Sequence, residues 1–347
     1  MIRLSAAILL AAALALVSVP SARAAEHAVA LLYHRFGDDA HPTTNVKLDR
    51  FEAHLRILAE GGYTVLPLDE IFDRLQAGEA LPDKAVAITI DDADASIYDT
   101  AWPRLRAANL PFTVFLETGA VDEGHRHSLT WAQVREMAAA GVAFAPHSVS
   151  HAHMTDIASD RAAAELRDSR SRLAEMLGAA PARIFAWPFG EHDARLHRLA
   201  REAGYAAAFG QQSGVLHAGA DMFALPRFAM TGHFSDIERF RIAVSALPFP
   251  VEQLAPADAL IRSATPLVFR FRPLPPVTAD DAIGCYASGG RAPRLERAGG
   301  IVSVTVTRGF APGRARLNCT LQDTSGRWRW LGRQFTVRDA SGRTPPE

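Results

Sequence analysis

Three short runs carry side chains whose types and spacing could do chemistry together. The first, Ile88-Thr89-Ile90-Asp91-Asp92, is an apolar stretch ending in two adjacent carboxylates. Neighbouring side chains on an extended strand point opposite ways, so one aspartate could hold a metal while the other faces a substrate. The second, His147-Ser148-Val149-Ser150-His151, sets two imidazoles four residues apart. On a helical turn they would share a face and could share one cation. With a carboxylate from another strand end they complete a two-histidine, one-aspartate site, which leaves coordination positions open for water and substrate. The third, Trp187-Pro188-Phe189-Gly190, reads as an aromatic wall suited to the apolar face of a sugar ring. Each run also has a plain structural reading: a turn or helix cap for the aspartates, a surface pair for the histidines, core packing for the aromatics. His153, a third nearby imidazole, reads as a surface residue.

The elements that must position these runs follow from periodicity. Short apolar runs at Val29–Tyr33, Thr64–Pro67, Val86–Ile90, Phe112–Leu116, Val142–Ala145, Ile184–Ala186 and Ala206–Phe209 predict strands. Helical patterns lie between them at Leu48–Glu60, Ala101–Ala108, Trp131–Ala140, Ser159–Leu177 and Ala194–Ala203, several of them stopped by glycine. Repeated strand–helix alternation over residues 26–246 predicts an α/β domain built on a parallel sheet or barrel, with chemistry at the strand ends. Prolines mark 247–265 as a linker, and the short β-type runs over 266–340 predict a smaller C-terminal all-β domain. Within it Trp328 and Trp330 share one face of a strand, to pack in a small β core or to stack on sugars.

Composition sets the compartment and excludes several classes. The chain has 347 residues, with 48% hydrophobic and 22% charged residues and a formal net charge of -1. That balance gives no electrostatic reason to bind nucleic acid. Met1 to Ala25 reads as a secretory signal: Arg3, an apolar run from Leu4 to Val19, then Ala22-Arg23-Ala24 as a small-x-small cleavage site. Nothing else in the chain is long and apolar enough to span a bilayer, so the expectation is an exported protein, periplasmic or secreted, without stable membrane insertion after cleavage. The 2 cysteines exclude a four-thiolate zinc or iron–sulfur site. In an oxidising compartment Cys285 and Cys319 are expected to form a disulfide that staples the small domain.

Taken in order, the three runs resemble the motifs of the polysaccharide deacetylase family, carbohydrate esterase family 4. Thr89-Ile90-Asp91-Asp92-Ala93 matches T-F-D-D-G, His147 to Ser150 to His151 matches H-[ST]-x-x-H, and Ala186-Trp187-Pro188-Phe189 matches R-x-P-[YF]. The resemblance implies a distorted (β/α) barrel, with Asp91 as general base and Asp92, His147 and His151 as ligands of a divalent metal, most often Zn2+, with Co2+ or Ni2+ as alternatives. It implies an oxyanion held by the cation and by a backbone N–H following Pro188. The expected general acid is His34, because Leu32-Tyr33-His34 closes the first strand, an order similar to the circularly permuted, exported poly-N-acetylglucosamine deacetylases. Two departures stand out: Ala93 replaces the family glycine, and Ala186 replaces the arginine that orients the base. Arg227, in Leu225-Pro226-Arg227-Phe228, is the candidate replacement for that charge.

The expected reaction is therefore metal-dependent removal of N-acetyl groups from an N-acetylglucosamine-containing polysaccharide. Two other readings stay open on the sequence: a non-catalytic glycan-binding protein on the same fold, and a deacetylase or esterase for a different acylated substrate. Oligomeric state is left open.

Overall fold

The computed structural model describes residues 24–262, 266–290 and 292–344. The secretory-signal reading of Met1–Ala25 thus falls outside the described residues apart from Ala24–Ala25, which pair antiparallel with Leu81–Pro82.

A curled parallel sheet forms the first domain. His27–Tyr33 is flanked by Ala85–Asp91 on one side and Phe228–Ala229 on the other, both parallel to it, and Leu216–His217 pairs antiparallel with its first residues. Thr113–Leu116 and Ala143–Pro146 continue the sheet beyond Ala85–Asp91. Ile184–Ala186 and Ala207–Phe209 form a separate parallel pair, and a bridge from Phe209 to Leu225 leads back towards the strand at Phe228. The result is a half-barrel, not a closed ring. All seven residues of Ala85–Asp91 are buried, as expected where helices cover one face and barrel packing fills the other. Hydrophobic runs end abruptly at Asp91, His34 and His147, so the strand ends present polar side chains on one rim.

The helices outside follow from sequence spacing. Leu48–Glu60 and Ser159–Leu177 match the expected bounds. The second buries Ala162, Glu165, Leu166, Ser169 and Leu173, a stripe at helical spacing, and stops at Gly178 in the left-handed conformation (φ 59°).

The C-terminal region is a two-sheet sandwich. One sheet holds Trp328–Arg338, Gly313–Gln322 and Gly284–Ala287, and the other holds Leu267–Pro273, Ile301–Val306 and Arg294–Ala298. Alternating burial along Leu267–Pro273 and Ile301–Val306 puts Phe269, Phe271, Val302 and Val304 between the sheets, opposite Leu317, Cys319 and Phe335. The stretch read as a linker is corrected here. Leu247–Pro248, Val251–Ala255 and Leu260–Arg262 all pair with strands of the sandwich. Its prolines stand at strand ends and between strands, where a missing N–H breaks no ladder.

The expected disulfide joins Cys285 to Cys319, which face each other in register on neighbouring strands. The two domains meet through backbone at close range. Gly214 bridges to Leu331, and a side chain at Gly332 would collide with the Ser213 carbonyl.

Candidate active site

Asp91 is the last residue of a buried strand, and its carboxylate has no solvent exposure. Such a charge needs a partner, and Arg227 provides it. Nη1 donates to Oδ1 at 2.6 Å and Nη2 donates to Oδ2 at 2.8 Å, a two-pronged fork. Two further donors of Arg227 go to the Gly210 carbonyl at 3.0 Å and to Thr89 Oγ1 at 3.2 Å. Burial pushes the pKa of Asp91 up, but the Arg227 charge, His147 and the Arg227 hydrogen bonds outweigh it, and the carboxyl ends below its ordinary range. The cation that the sequence expects at position 186 thus arrives from residue 227, and Ala186 contributes only backbone.

Asp92 turns the other way. It adopts a left-handed backbone (φ 76°), so the strained position of this turn falls on Asp92 and not on Ala93, where the family pattern has glycine. Its Oδ1 lies 3.6 Å from His147 Nε2 and 3.4 Å from His151 Nε2. These two histidines do not share a helical turn, as their spacing suggested. They sit in a loop after Ala143–Pro146 in which Ser148 (φ 68°) and His151 (φ 50°) both take left-handed conformations, which brings the ring centroids to 5.0 Å.

That loop is held by a residue the sequence reading missed. Glu165, buried on the helix Ser159–Leu177, accepts hydrogen bonds from the backbone N–H of Val149 (2.8 Å) and Ser150 (2.9 Å) and from Ser150 Oγ (2.7 Å). In sequence Glu165 looks like one more solvated acid on an amphipathic helix. Only its place in the buried stripe sets it apart.

The chemistry of the cluster fits a cation. His147 Nδ1 meets the Ala186 carbonyl oxygen at 2.8 Å, so Nδ1 carries the proton and Nε2 keeps its lone pair. Both His147 Nε2 and Asp92 Oδ1 are buried without a hydrogen-bond partner. One ligand atom from each of Asp92, His147 and His151 lies within 4.8 Å of the others. Burial, and then His147, push His151 down to about 4, which keeps its ring neutral and able to donate a lone pair. Buried orphan acceptors that converge in this way are what a divalent ion would satisfy.

The cluster opens on a cleft of about 790 Å³ whose walls include His34, Asp92, His151, Phe189 and Gln211. His34 follows the strand His27–Tyr33 and its Nδ1 is buried without a partner. Burial lowers its pKa, against the pull of Asp92 and Asp91. Of the expected aromatic wall only Phe189 faces this space, stacked on His153 at 3.9 Å between centroids. Trp187 and Pro188 are corrected: both are buried, and Trp187 packs edge-on against Phe185 and donates to the Phe223 carbonyl at 2.9 Å. Trp187 belongs to the apolar cluster between this strand pair and the outer helices, with Leu166, Leu196 and Leu199. His153 is not a plain surface residue either, since its Nδ1 lies 2.9 Å from Glu191 Oε2.

An α/β half-barrel with a guanidinium-clamped carboxylate beside an Asp-His-His cluster at its strand ends defines a hydrolase with a candidate cation site. Comparison with known proteins narrows the class. The family model described as "Polysaccharide deacetylase" matches residues 78–208. The poly-beta-1,6-N-acetyl-D-glucosamine N-deacetylase of Escherichia coli (strain K12) is 26% identical over 242 residues, covering 57% of this chain. The chain spans only 36% of that relative's length. The solved structure of IcaB from Ammonifex degensii is 25% identical, with a TM-score of 0.58 over 64% of this chain and 98% of the other. The Streptococcus pyogenes deacetylase PplD, solved in complex with acetate, shares the fold at a TM-score of 0.59 and 24% identity, over 63% of this chain and 98% of its own. Over residues 78–208 the chain matches the polysaccharide deacetylase family of hydrolases, and the two solved deacetylases share the fold of the surrounding domain.

Proposed function

We propose that this protein is an exported, metal-dependent deacetylase that removes N-acetyl groups from a polymer of β-linked N-acetylglucosamine. The observation that carries the reading is the pairing of Asp91, clamped by Arg227, with the Asp92-His147-His151 cluster in one cleft. The name of the Escherichia coli relative supports the substrate class, and the Cys285–Cys319 disulfide supports export.

Asp92, His147 and His151 would hold the ion, Zn2+ in this reading. When bound, it supplies Lewis acidity that polarises a carbonyl and lowers the pKa of water. Asp91 accepts the proton of the attacking water, and Arg227 keeps its carboxylate ionised and oriented for that task. A backbone N–H following Pro188 would steady the developing oxyanion. His34 delivers a proton to the departing nitrogen as the C–N bond breaks, so amide and water become amine and acetate. Burial makes the protonated ring a stronger but scarcer acid, so His34 must take up a proton before each transfer.

The Asp91–Arg227 pair also favours this reading over a non-catalytic glycan-binding protein, since a charge compensates the altered motif at Ala186. The test is acetate release from a panel of acetylated glycans with added zinc, cobalt or nickel. Release from β-linked N-acetylglucosamine oligomers is expected. No release from any N-acetylated glycan with any of the three metals would leave the binding reading, and release only from O-acetylated substrates would make the protein an esterase.

A further inference from the structure

The cleft above Asp92 does not stop at the deacetylase domain. A second cavity of about 500 Å³ adjoins it, and Gln211, Ala229, Phe234 and Arg316 border both. Its far wall belongs to the C-terminal sandwich. Tyr286 stands opposite Asn318, Trp330 opposite Thr320 and Trp328 opposite Gln322 in strand register. Period two therefore brings Tyr286, Trp328 and Trp330 out on one face, while Cys285, Leu317, Cys319 and Leu321 point into the sandwich core. The tryptophans are thus not core residues of the small domain. Trp330 packs edge-on against Phe228 of the half-barrel at 5.3 Å, and its Nε1 donates to Asn318 Oδ1 at 2.9 Å.

Among the described residues the exposed large hydrophobic side chains are Ile242, at 37%, and Tyr286, at 63%, and both border this one cavity. Apolar surface left in water and gathered at one place marks a binding surface. Ring faces beside amide and guanidinium donors suit a sugar, which presents apolar ring faces and polar edges. The lining includes Arg239 and Arg316 and no carboxylate, so a polyamine would find no counter-charge there.

We propose that this groove is a subsite for the neutral, still acetylated segment of the glycan chain that continues from the active-site cleft, with Tyr286 and Trp328 as stacking platforms. The choice of ligand rests on the deacetylase reading. The groove makes the C-terminal domain a reader of chain length and gives the enzyme a preference for polymer over short fragments.

The test uses the full chain and acetylated β-linked glucosamine oligomers from disaccharide to polymer, with KM and kcat measured for each length. Binding is measured separately in an Asp91→Asn background, so that it is read without turnover. Tyr286→Ala and Trp328→Ala should each raise KM for long chains about tenfold, the loss of one good stacking contact. The disaccharide KM and kcat should not change, and Tyr286→Phe, which keeps the ring, should behave as the unsubstituted protein. Because Tyr286 is exposed, its truncation leaves no hole in the core. Unaltered chain-length dependence in both alanine variants, with acetate still released, would overturn the groove and spare the deacetylase reading. Tyr286-dependent binding of long chains without acetate release from any of them would do the reverse.

Discussion

A carboxylate sealed from solvent survives as a charge only while something pairs with it, and this sets the behaviour of Asp91. Removing one partner of a buried ion pair typically costs about 3–5 kcal/mol, because the other charge is stranded. Arg227→Met should therefore lower unfolding stability by about that amount and reduce kcat/KM together with it. Asp91→Asn combined with Arg227→Met should cost less stability than the two single changes added, since each single change strands what the other removes. Urea melts of the four proteins check both points, and a loss under about 1 kcal/mol in Arg227→Met would contradict the account. At this scale the sequence was legible in its carboxylates and imidazoles, because few other residue types serve as bases and ligands. Arg227 could be inferred only as compensation for Ala186. Glu165 could not be inferred, because what it does depends on a loop with two left-handed residues that i, i+4 spacing does not foretell.

Between elements, packing of polar groups fixes how helices meet the barrel. His54 on the helix Leu48–Glu60 accepts from Tyr33 Oη at Nδ1 (3.0 Å) and donates from Nε2 to the Ser235 carbonyl (2.9 Å), and its ring stacks on Phe240 at 3.9 Å. Both nitrogens are committed, so a second proton on the ring would break the Tyr33 contact. Burial lowers the pKa of His54 from 6.5 to about 4. Between those values the unfolded chain binds a proton that the folded chain refuses, so stability is full above about pH 6.5 and falls as pH drops towards 4. From about pH 7 to about pH 5 the loss from this one residue is about 2 kcal/mol. His54→Gln can keep an acceptor and a donor without titrating, and should flatten that slope by about the same amount. Melting curves at the two pH values measure it, and an equal slope in both proteins would refute the assignment. Strand and helix bounds were largely legible because parallel strands buried on both faces read as unbroken apolar runs. The histidine loop was not, since loop backbone follows from what holds it.

For the molecule as a whole, the division into a βα half and a β half could be read from where helical periodicity ends. The seam between them could not. The proline-rich stretch from 247 reads as a connector, yet its strands are woven into the sandwich. Trp328 and Trp330 alternate as a strand requires, but which face meets the half-barrel depends on pairing with Gly313–Gln322. The disulfide was legible from the expected export and the cysteine number. By loop entropy, closing the 34-residue separation between Cys285 and Cys319 contributes roughly 3–4 kcal/mol to the folded chain. The central claim is that one cation is held by Asp92, His147 and His151 while Asp91 stands beside it with a different task. Calorimetric titration of zinc into the metal-free full chain and its variants tests this most directly. One tight site is predicted in the unsubstituted protein and in Asp91→Asn, with that site lost in Asp92→Ala and in His147→Ala. Equal retention of zinc in all four proteins, or equal loss in Asp91→Asn, would contradict it.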